Sequence, residues 1–484
     1  MSKKVQTQPI FGRTQHIHMV GIGGIGMSGI AEILLQKGYK VTGSDGNLGD
    51  TTERLQKLGA TVYLGHDPEN IEGADVVVYT SAVKAEENVE TREAMSRKIP
   101  VIKRAEMLAE LMRMKYGVGV AGTHGKTTTT TLTGHVVQEG GFDPTIIVGG
   151  RVHSFDKTNA VVGSGDIIIV EADEFDRTFL RLSPSLAVIT NIDTDHMDIY
   201  DDEEDIKNAF IEFANKVPFY GAVVVCLDDP IVRSIIPEIE RRAFTYGLTP
   251  QAELRAVDIK SEHFYTRFTV MLEGEELGHI KLKAPGEHNV RNALASVGVG
   301  LELDMPFDQI RKGIEKFEGV FRRFQVKANK DNVMVIDDYA HHPTEVQATL
   351  RAAREGWEKR RIMAVFQPHL YSRTQQLYKE FGLSFFDAEV LVLTDVYPSR
   401  EEPIEGVTGK LIADTAEQYG HRGVHYVKDK NELPGKLKDL VRPGDIIITM
   451  GAGDIYKYGE LFVETLEAGI PALKEPEEID NQKS

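Results

Sequence analysis

The sequence predicts an α/β chain of three domains, and three observations lead there. Short apolar runs alternate with helical stretches, two glycine-rich turns each join a strand to a helix, and the pattern restarts near residues 114 and 326. At 484 residues the chain exceeds what one hydrophobic core organises. The working boundaries are 1–113, 114–325 and 326–484.

In order, IHMVGI, MSGIAEILLQKG, KVTGSD, TTERLQKLG and ADVVVYT alternate from His16 as βαβ units, which predicts a parallel, Rossmann-like sheet. A second unit starts at Tyr116, where GVGVAG passes through a glycine turn into the helix candidate KTTTTTLTGHVVQEGG. DIIIV, LAVIT and AVVVC continue it as a parallel sheet of the phosphate-loop ATPase type. ELRAVDIK, FYTRFTVML and LGHIKLK alternate every second residue and predict a small antiparallel ribbon laid against that core. The third unit repeats the Rossmann-like alternation in VMVIDD, RIMAVFQ, AEVLVLTD, GVHYV and DIIITM. The end, KEPEEIDNQKS, reads as a solvated tail.

Composition bounds the function. Hydrophobic residues at 41% and charged residues at 27% describe an ordinary globular chain. A net charge of -18 argues against a nucleic-acid surface, which needs clustered Lys and Arg to neutralise phosphates. The single cysteine, Cys226, lies in an apolar strand, as expected in a reducing compartment. No signal-like stretch or membrane-length apolar run is present, so a cytoplasmic protein without membrane insertion is expected.

The first glycine cluster, Gly21-Ile-Gly23-Gly24-Ile-Gly26, lets backbone N–H groups approach a diphosphate at a helix start, with Asp45 placed for a ribose hydroxyl. Alone it suits an NAD-dependent oxidoreductase. The second loop redirects the reading. Gly122-Thr123-His124-Gly125-Lys126-Thr127 carries the Gly-Lys-Thr core of a phosphate loop, although Val120 stands where the strict motif has its first glycine. Lys126 is expected to meet the β- and γ-phosphates of ATP and Thr127 to ligate Mg²⁺. Glu171-Ala-Asp-Glu174 and Asn191-Ile-Asp-Thr-Asp-His196 follow the next strands and bring oxygen ligands and an imidazole to the same sheet end.

Together GTHGKTTTT, EADE, TNIDTDHMD, GEHNVRNALA, GVFRRFQ and DDYAHHPTEV resemble the Mur ligase family, from about His16 to Phe462. The resemblance implies three domains that hold a UDP-sugar, ATP and an amine. It also implies closure around the ligands, and a role in peptidoglycan precursor synthesis and so in cell shape and division. It assigns Lys126 to the ATP phosphates with Gly122, Thr123, His124, Gly125, Thr127 and Thr128, and Thr127, Glu171 and His196 to metal. His288, Asn289, Asn292 and Asp338 are implied near the nucleotide, and of Arg322 and Arg323 one is implied to neutralise the transferring phosphoryl group, with Arg323 preferred. The UDP-sugar candidates are Gly21, Gly23, Gly24, Gly26, Met27, Ser28, Asp45, His66, Thr80 and Ser81. Tyr339, His341, His369 and Arg373 are the amino-acid candidates, with Lys126, His196, Arg323 and His341 as catalytic residues.

Family members differ in the amine they add. No lysine lies between Lys157 and Lys207 to serve as the modified lysine of some members, and Gln367-Pro-His369 resembles the L-alanine-adding members rather than the tripeptide-recycling ones. Leu370 stands where some alanine-adding members have arginine. The implied reaction transfers the γ-phosphoryl group of ATP to the lactyl carboxylate of UDP-N-acetylmuramate, and L-alanine then attacks the acyl phosphate. A monomer or weak homodimer is expected.

Overall fold

Val, Ile and Ala fill the central strands because helices cover both faces of a parallel sheet, so such strands read as continuous apolar runs. The computed structural model describes residues 11–80, 82–149, 159–193, 199–399 and 401–470. Among these, three sheets form. The first runs Thr61–Leu64, Lys40–Asp45, His16–Val20, Val76–Tyr79, Val101–Lys103, all parallel. The second has ten strands in the order Glu275–Leu282, Tyr265–Leu272, Leu254–Glu262, Ala243–Gly247, Ala222–Cys226, Leu186–Ile189, Tyr116–Ala121, Ile167–Glu171, Thr145–Ile147, Ala160–Val161. The third runs Gln325–Lys330, Val333–Asp338, Ile446–Met450, Ile362–Phe366, Val390–Leu393, Val424–Tyr426.

The chain divides into two compact units. One comprises residues up to Asp258 with Phe268–Ile280 and Val290–Glu318, and the other Ile259–Arg267, Lys281–Asn289 and everything from Gly319. In the second unit, alternate residues of the third sheet feed two separate cores. Ile336, Ala364, Leu391 and Ile448 pack with Val346, Leu350, Phe381 and Ile412 on one side. On the other, Val335, Val365, Val392 and Ile447 pack with Leu437, Ile455 and Phe462. Each fully buried Ile or Leu side chain stabilises the fold by about 2 kcal/mol, which makes the sheet a rigid base for its loops.

Two expectations change. The ribbon between residues 253 and 284 extends the sheet edgewise instead of lying on it, for Leu254 and Arg255 pair in parallel with Tyr246 and Gly247. Period-two alternation reports a half-buried strand but not where its edge goes; here the ribbon pairs with the end of the strand Ala243–Gly247, at Tyr246 and Gly247. The third sheet is mixed, because Gln325–Lys330 pairs antiparallel with Val333–Asp338. Asp331 and Asn332 turn that hairpin with φ of 51° and 56°, the left-handed geometry a two-residue loop requires.

The helix Lys126–Glu139 contains five consecutive threonines, which are poor helix formers. It is held by burial and by hydroxyls that find partners: Thr131 Oγ1 donates to the Thr127 carbonyl at 2.7 Å within the helix, and Thr133 pairs at 3.0 Å with Ser296 of the helix Glu287–Glu302. Among the described residues no helix is long and apolar enough to cross a membrane. The expected tail lies outside the described residues.

Candidate active site

Strand register fixes which loops meet. In the first sheet Val20 is level with Ser44 and Tyr79, so the turn starting at Gly21 emerges beside Asp45 and Thr80. Gly21 has φ +79°, and a Cβ there would sit 2.7 Å from Thr80 Cγ2. Gly23 N donates to Asp45 Oδ2 at 2.9 Å, so Asp45 braces the turn itself. Gly24 caps the helix Ile25–Gln36 with no side-chain hydrogen bond, leaving its first N–H groups for a ligand. Ser28 is buried facing Asn159 at 3.5 Å. Ser81 lies outside the described residues.

Behind this turn is a buried polar cluster of which the local sequence carries no sign. Glu90, fully buried, accepts from Ser44 Oγ at 2.5 Å and Asn70 Nδ2 at 2.7 Å, and contacts His66 Nδ1 at 3.1 Å and His18 Nε2 at 3.6 Å. Burial would raise its carboxyl, but the hydrogen bonds of His18, Ser44 and Asn70 outweigh that and hold it down at about 2. The candidate His66 is thereby oriented by Glu90 and Ser44.

In the second sheet Ala121 is level with Ile189 and Val120 with Glu171, which sets the phosphate loop between Thr190-Asn191 and Glu171. The loop is fastened on one side. His124 N donates to Asn191 Oδ1 at 2.8 Å, Thr190 Oγ1 and Asn191 Nδ2 donate to the His124 carbonyl at 2.7 and 2.9 Å, and Asp193 N donates to Thr123 Oγ1 at 2.9 Å. Gly122 and Gly125 have φ of +138° and +80°; a Cβ on Gly125 would come within 2.6 Å of Asn292 Oδ1. Asn292, distant in sequence, thus abuts the loop and also accepts from Thr129 Oγ1 at 3.2 Å. Thr128 is buried in the helix that follows.

Lys126 Nζ lies 2.6 Å from Glu174 Oε2 and 3.7 Å from Asp173 Oδ1. Burial alone would lower the ammonium, but Glu174 and Asp173 outweigh it and hold it above its ordinary value. Thr127 Oγ1 donates to Glu171 Oε1 at 3.0 Å while Gly149 N donates to Oε2 at 2.7 Å. Burial raises the Glu171 carboxyl. A half-buried carboxylate beside a hydroxyl is the hard-oxygen pair that Mg²⁺ takes, and a cation would relieve its desolvation, so these residues fit the metal. His196 lies outside the described residues. One cleft is lined by Gly24, Gly26, Met27 and Thr80 of the first glycine turn and its neighbour strand, by Arg104, and by Glu171 and Asp173 beside the phosphate loop. Arg104 opens the helix Arg104–Arg113, and its side chain lies 3.0 Å from where a Gly26 Cβ would be. A basic residue starting a helix after a short strand is the only signal for it in the sequence.

In the other unit Asp338 and Phe366 are both level with Met450, which clusters the loops after three strands. The arginine pair separates. Arg322 is buried and engaged: Nε donates to Asp337 Oδ2 at 2.9 Å, and Nη1 and Nη2 donate to the Gly453 and Gly451 carbonyls at 3.2 and 2.7 Å. Its guanidinium also lies 5.1 and 4.6 Å from the Tyr339 and Tyr456 ring centres. Arg323 is more open, with Glu345 at 3.4 Å and the Tyr339 ring at 5.5 Å. Asp338 accepts from Phe324 N and Ala340 N, both at 2.8 Å, and burial pushes its carboxyl up to about 6 against the pull of Arg323.

Glu345 joins Arg323 to His341, whose Nδ1 is 3.2 Å from Glu345 Oε2 and whose backbone N donates to the same oxygen at 3.0 Å. The His341 and His369 rings lie 6.1 Å apart, and His369 stacks on Tyr397 at 5.8 Å. Arg373 is 7% exposed, so its guanidinium lies beneath the surface rather than in a solvated ion pair. Leu370 has φ +69°, a strained conformation for leucine, immediately before the helix Tyr371–Gly382. Near the start of the helix Glu287–Glu302, Asn289 Nδ2 donates to the Pro285 carbonyl at 2.7 Å, and His288 lies against Gly286.

Comparison with known proteins covers the same span. Family models match in order: the Mur ligase family catalytic domain over residues 16–116, the Mur ligase middle domain over 120–300, and the Mur ligase glutamate ligase domain over 322–453. A protein of Salinibacter ruber named UDP-N-acetylmuramate--L-alanine ligase is 59% identical over 96% of this chain and 98% of its own. One of the same name from Geotalea daltonii is 53% identical over 94% and 99%. The crystal structure of a UDP-N-acetylmuramate-alanine ligase from Thermotoga maritima superposes with TM-score 0.77 at 30% identity, covering 94% of this chain and 99% of that one.

Proposed function

Since the chain belongs to the Mur ligase family, we propose that it is the ATP-dependent ligase that joins L-alanine to the lactyl carboxylate of UDP-N-acetylmuramate in peptidoglycan precursor synthesis. The observation that carries this reading is a cleft lined both by the diphosphate-type turn and by Glu171, which accepts a hydrogen bond from Thr127 of the phosphate loop. An NAD-dependent oxidoreductase would leave the second loop and its acids without a task. Similarity over nearly the whole length of relatives that are named as alanine ligases favours alanine over the tripeptide as the amine. The working domains are 1–113 for the UDP-sugar, 114–325 for ATP and 326–484 for the amino acid, in a cytoplasmic monomer or weak homodimer.

A carboxylate is a poor electrophile, so the reaction needs the γ-phosphoryl group moved onto it before the amine attacks. Gly122 to Gly125 shape the loop around the phosphates, the uncapped start of the helix Lys126–Glu139 offers its N–H groups to them, and Lys126 offsets the charge that spreads over the transferring group. Thr127 and Glu171 would hold Mg²⁺, with His196 as a further ligand; the ion would supply neutralisation of the phosphate oxygens. Arg323, rather than the fully engaged Arg322, is the arginine able to turn toward a phosphoryl group. Tyr339, His341, His369 and Arg373 hold the amino acid, Arg373 by its planar fork. The test is phosphate release with ATP and UDP-N-acetylmuramate against L-alanine, glycine, L-serine and the tripeptide. Fastest release with L-alanine is expected, and preference for the tripeptide would replace this reading with the recycling activity.

A further inference from the structure

The proposed phosphoryl transfer and amine attack leave the carboxylate that grips Lys126 without a role. Glu174 closes the run Glu171-Ala-Asp-Glu, three residues beyond the carboxylate that faces Thr127. It is 2% exposed, and its Oε2 stands 2.6 Å from Lys126 Nζ, while the same ammonium donates to the Thr123 carbonyl of its own loop at 3.2 Å. Glu174 is held from behind as well. The buried Tyr200 donates its hydroxyl to the Glu174 carbonyl at 2.7 Å, and the Arg177 guanidinium, itself paired with Asp205, covers the Tyr200 ring at 4.7 Å.

A desolvated ammonium without a counter-charge is strongly disfavoured, so the loop without nucleotide needs an anion at this point. A triphosphate is a second anion for the same ammonium. Two full negative charges cannot both close on one –NH₃⁺ in a buried site without repelling each other. We propose that Glu174 is a positioning residue that holds Lys126 in the nucleotide-free loop and competes with the triphosphate for its ammonium, thereby setting the apparent affinity for ATP. This rests on the reading of Lys126 as the ligand of the ATP phosphates. A ligand that binds only the fraction of molecules with a released lysine has its dissociation constant raised in inverse proportion to that fraction. Weakening the competitor therefore tightens binding.

Glu174→Gln keeps the shape and an acceptor oxygen but removes the charge. In the full chain, calorimetric titration with ATP and magnesium and steady-state kinetics should show the dissociation constant and KM for ATP falling about three- to tenfold, with kcat changing by less than that factor. Unchanged or weaker ATP binding overturns the competition and leaves Glu174 as a structural ion-pair partner, whose loss would show in the melting temperature alone. Should the glutamine variant not fold, Glu174→Asp, which keeps the charge but shortens its reach, is read in the same way: tighter binding supports the competition, and unchanged or weaker binding rejects it. Lys126→Ala separates this inference from the one beneath it. If that variant binds ATP as well as the native chain, the phosphate-loop assignment falls; if it loses ATP while Glu174→Gln is unchanged, only the competition falls.

Discussion

The two glycine turns of the first unit solve the same backbone problem with opposite electrostatics. Both follow a parallel strand, both open a helix whose first turn has no side-chain cap, and both need glycine where a Cβ would strike a neighbour. The turn at Gly21 is braced by a carboxylate, Asp45, and backed by the buried anion of Glu90. The turn at Gly122 is fastened by the neutral Thr190 and Asn191 and carries its own cation, Lys126. Oriented N–H groups are enough to hold a diphosphate that stays intact, whereas a phosphoryl group in transfer needs a charge that can follow it. Under the proposed reaction, that contrast gives binding to the first turn and chemistry to the second.

The largest expected effect strikes the second turn. Lys126→Ala should lower phosphate release by roughly a thousandfold or more while leaving UDP-sugar binding intact; near-native turnover would erase the distinction between the turns.

Next comes acid stability at the first turn. The Glu90 carboxyl is held at about 2, below the ordinary 4.5, so its contribution is fully present above that ordinary value and is lost as pH falls toward the folded one. The contribution is about 3 kcal/mol, and Glu90→Gln should flatten the stability profile between pH 4.5 and 2 in denaturant titrations. An equally steep acid limb in the variant would show that Glu90 is not the group being protonated.

Gly125→Ala puts a Cβ at positive φ against Asn292 and should cost about 2 kcal/mol of stability or ATP affinity, read by melting and by calorimetry. The smallest effect belongs to Gly23→Ala, which presses on Asp45 Oδ2 at 2.8 Å. It should raise KM for the UDP-sugar about tenfold with KM for ATP spared. Equal changes in both constants would mean that the two turns act as one site.

Part of this arrangement is legible in the order of residues alone. Strands buried on both faces, such as Val333–Asp338 and Ala222–Cys226, stand out in the sequence with the bounds they have in the fold, because covered parallel strands leave an unbroken apolar signature. Short or peripheral strands leave no such trace: Thr61–Leu64 has one buried residue, and Gln325–Lys330 is largely exposed. The glycine loops, Lys126, Glu171 and the carboxyl-end positions of Tyr339 and His369 are readable too, since each follows its strand directly.

The partners of those residues are not. Glu174 is one acid of a run, Glu345 one helix residue and Glu90 another, and nothing local distinguishes them. Residue type and spacing determined by themselves where the two strand–turn–helix segments lie and which side chains are proposed to meet phosphates, because strand, turn and helix start are contiguous in the chain. Which acid neutralises which base, that Arg322 is engaged and Arg323 more open, and that the ribbon joins the sheet by its edge were decided only when distant segments packed. Charge pairing and edge pairing depend on distance in space, and one chain's order does not encode that distance.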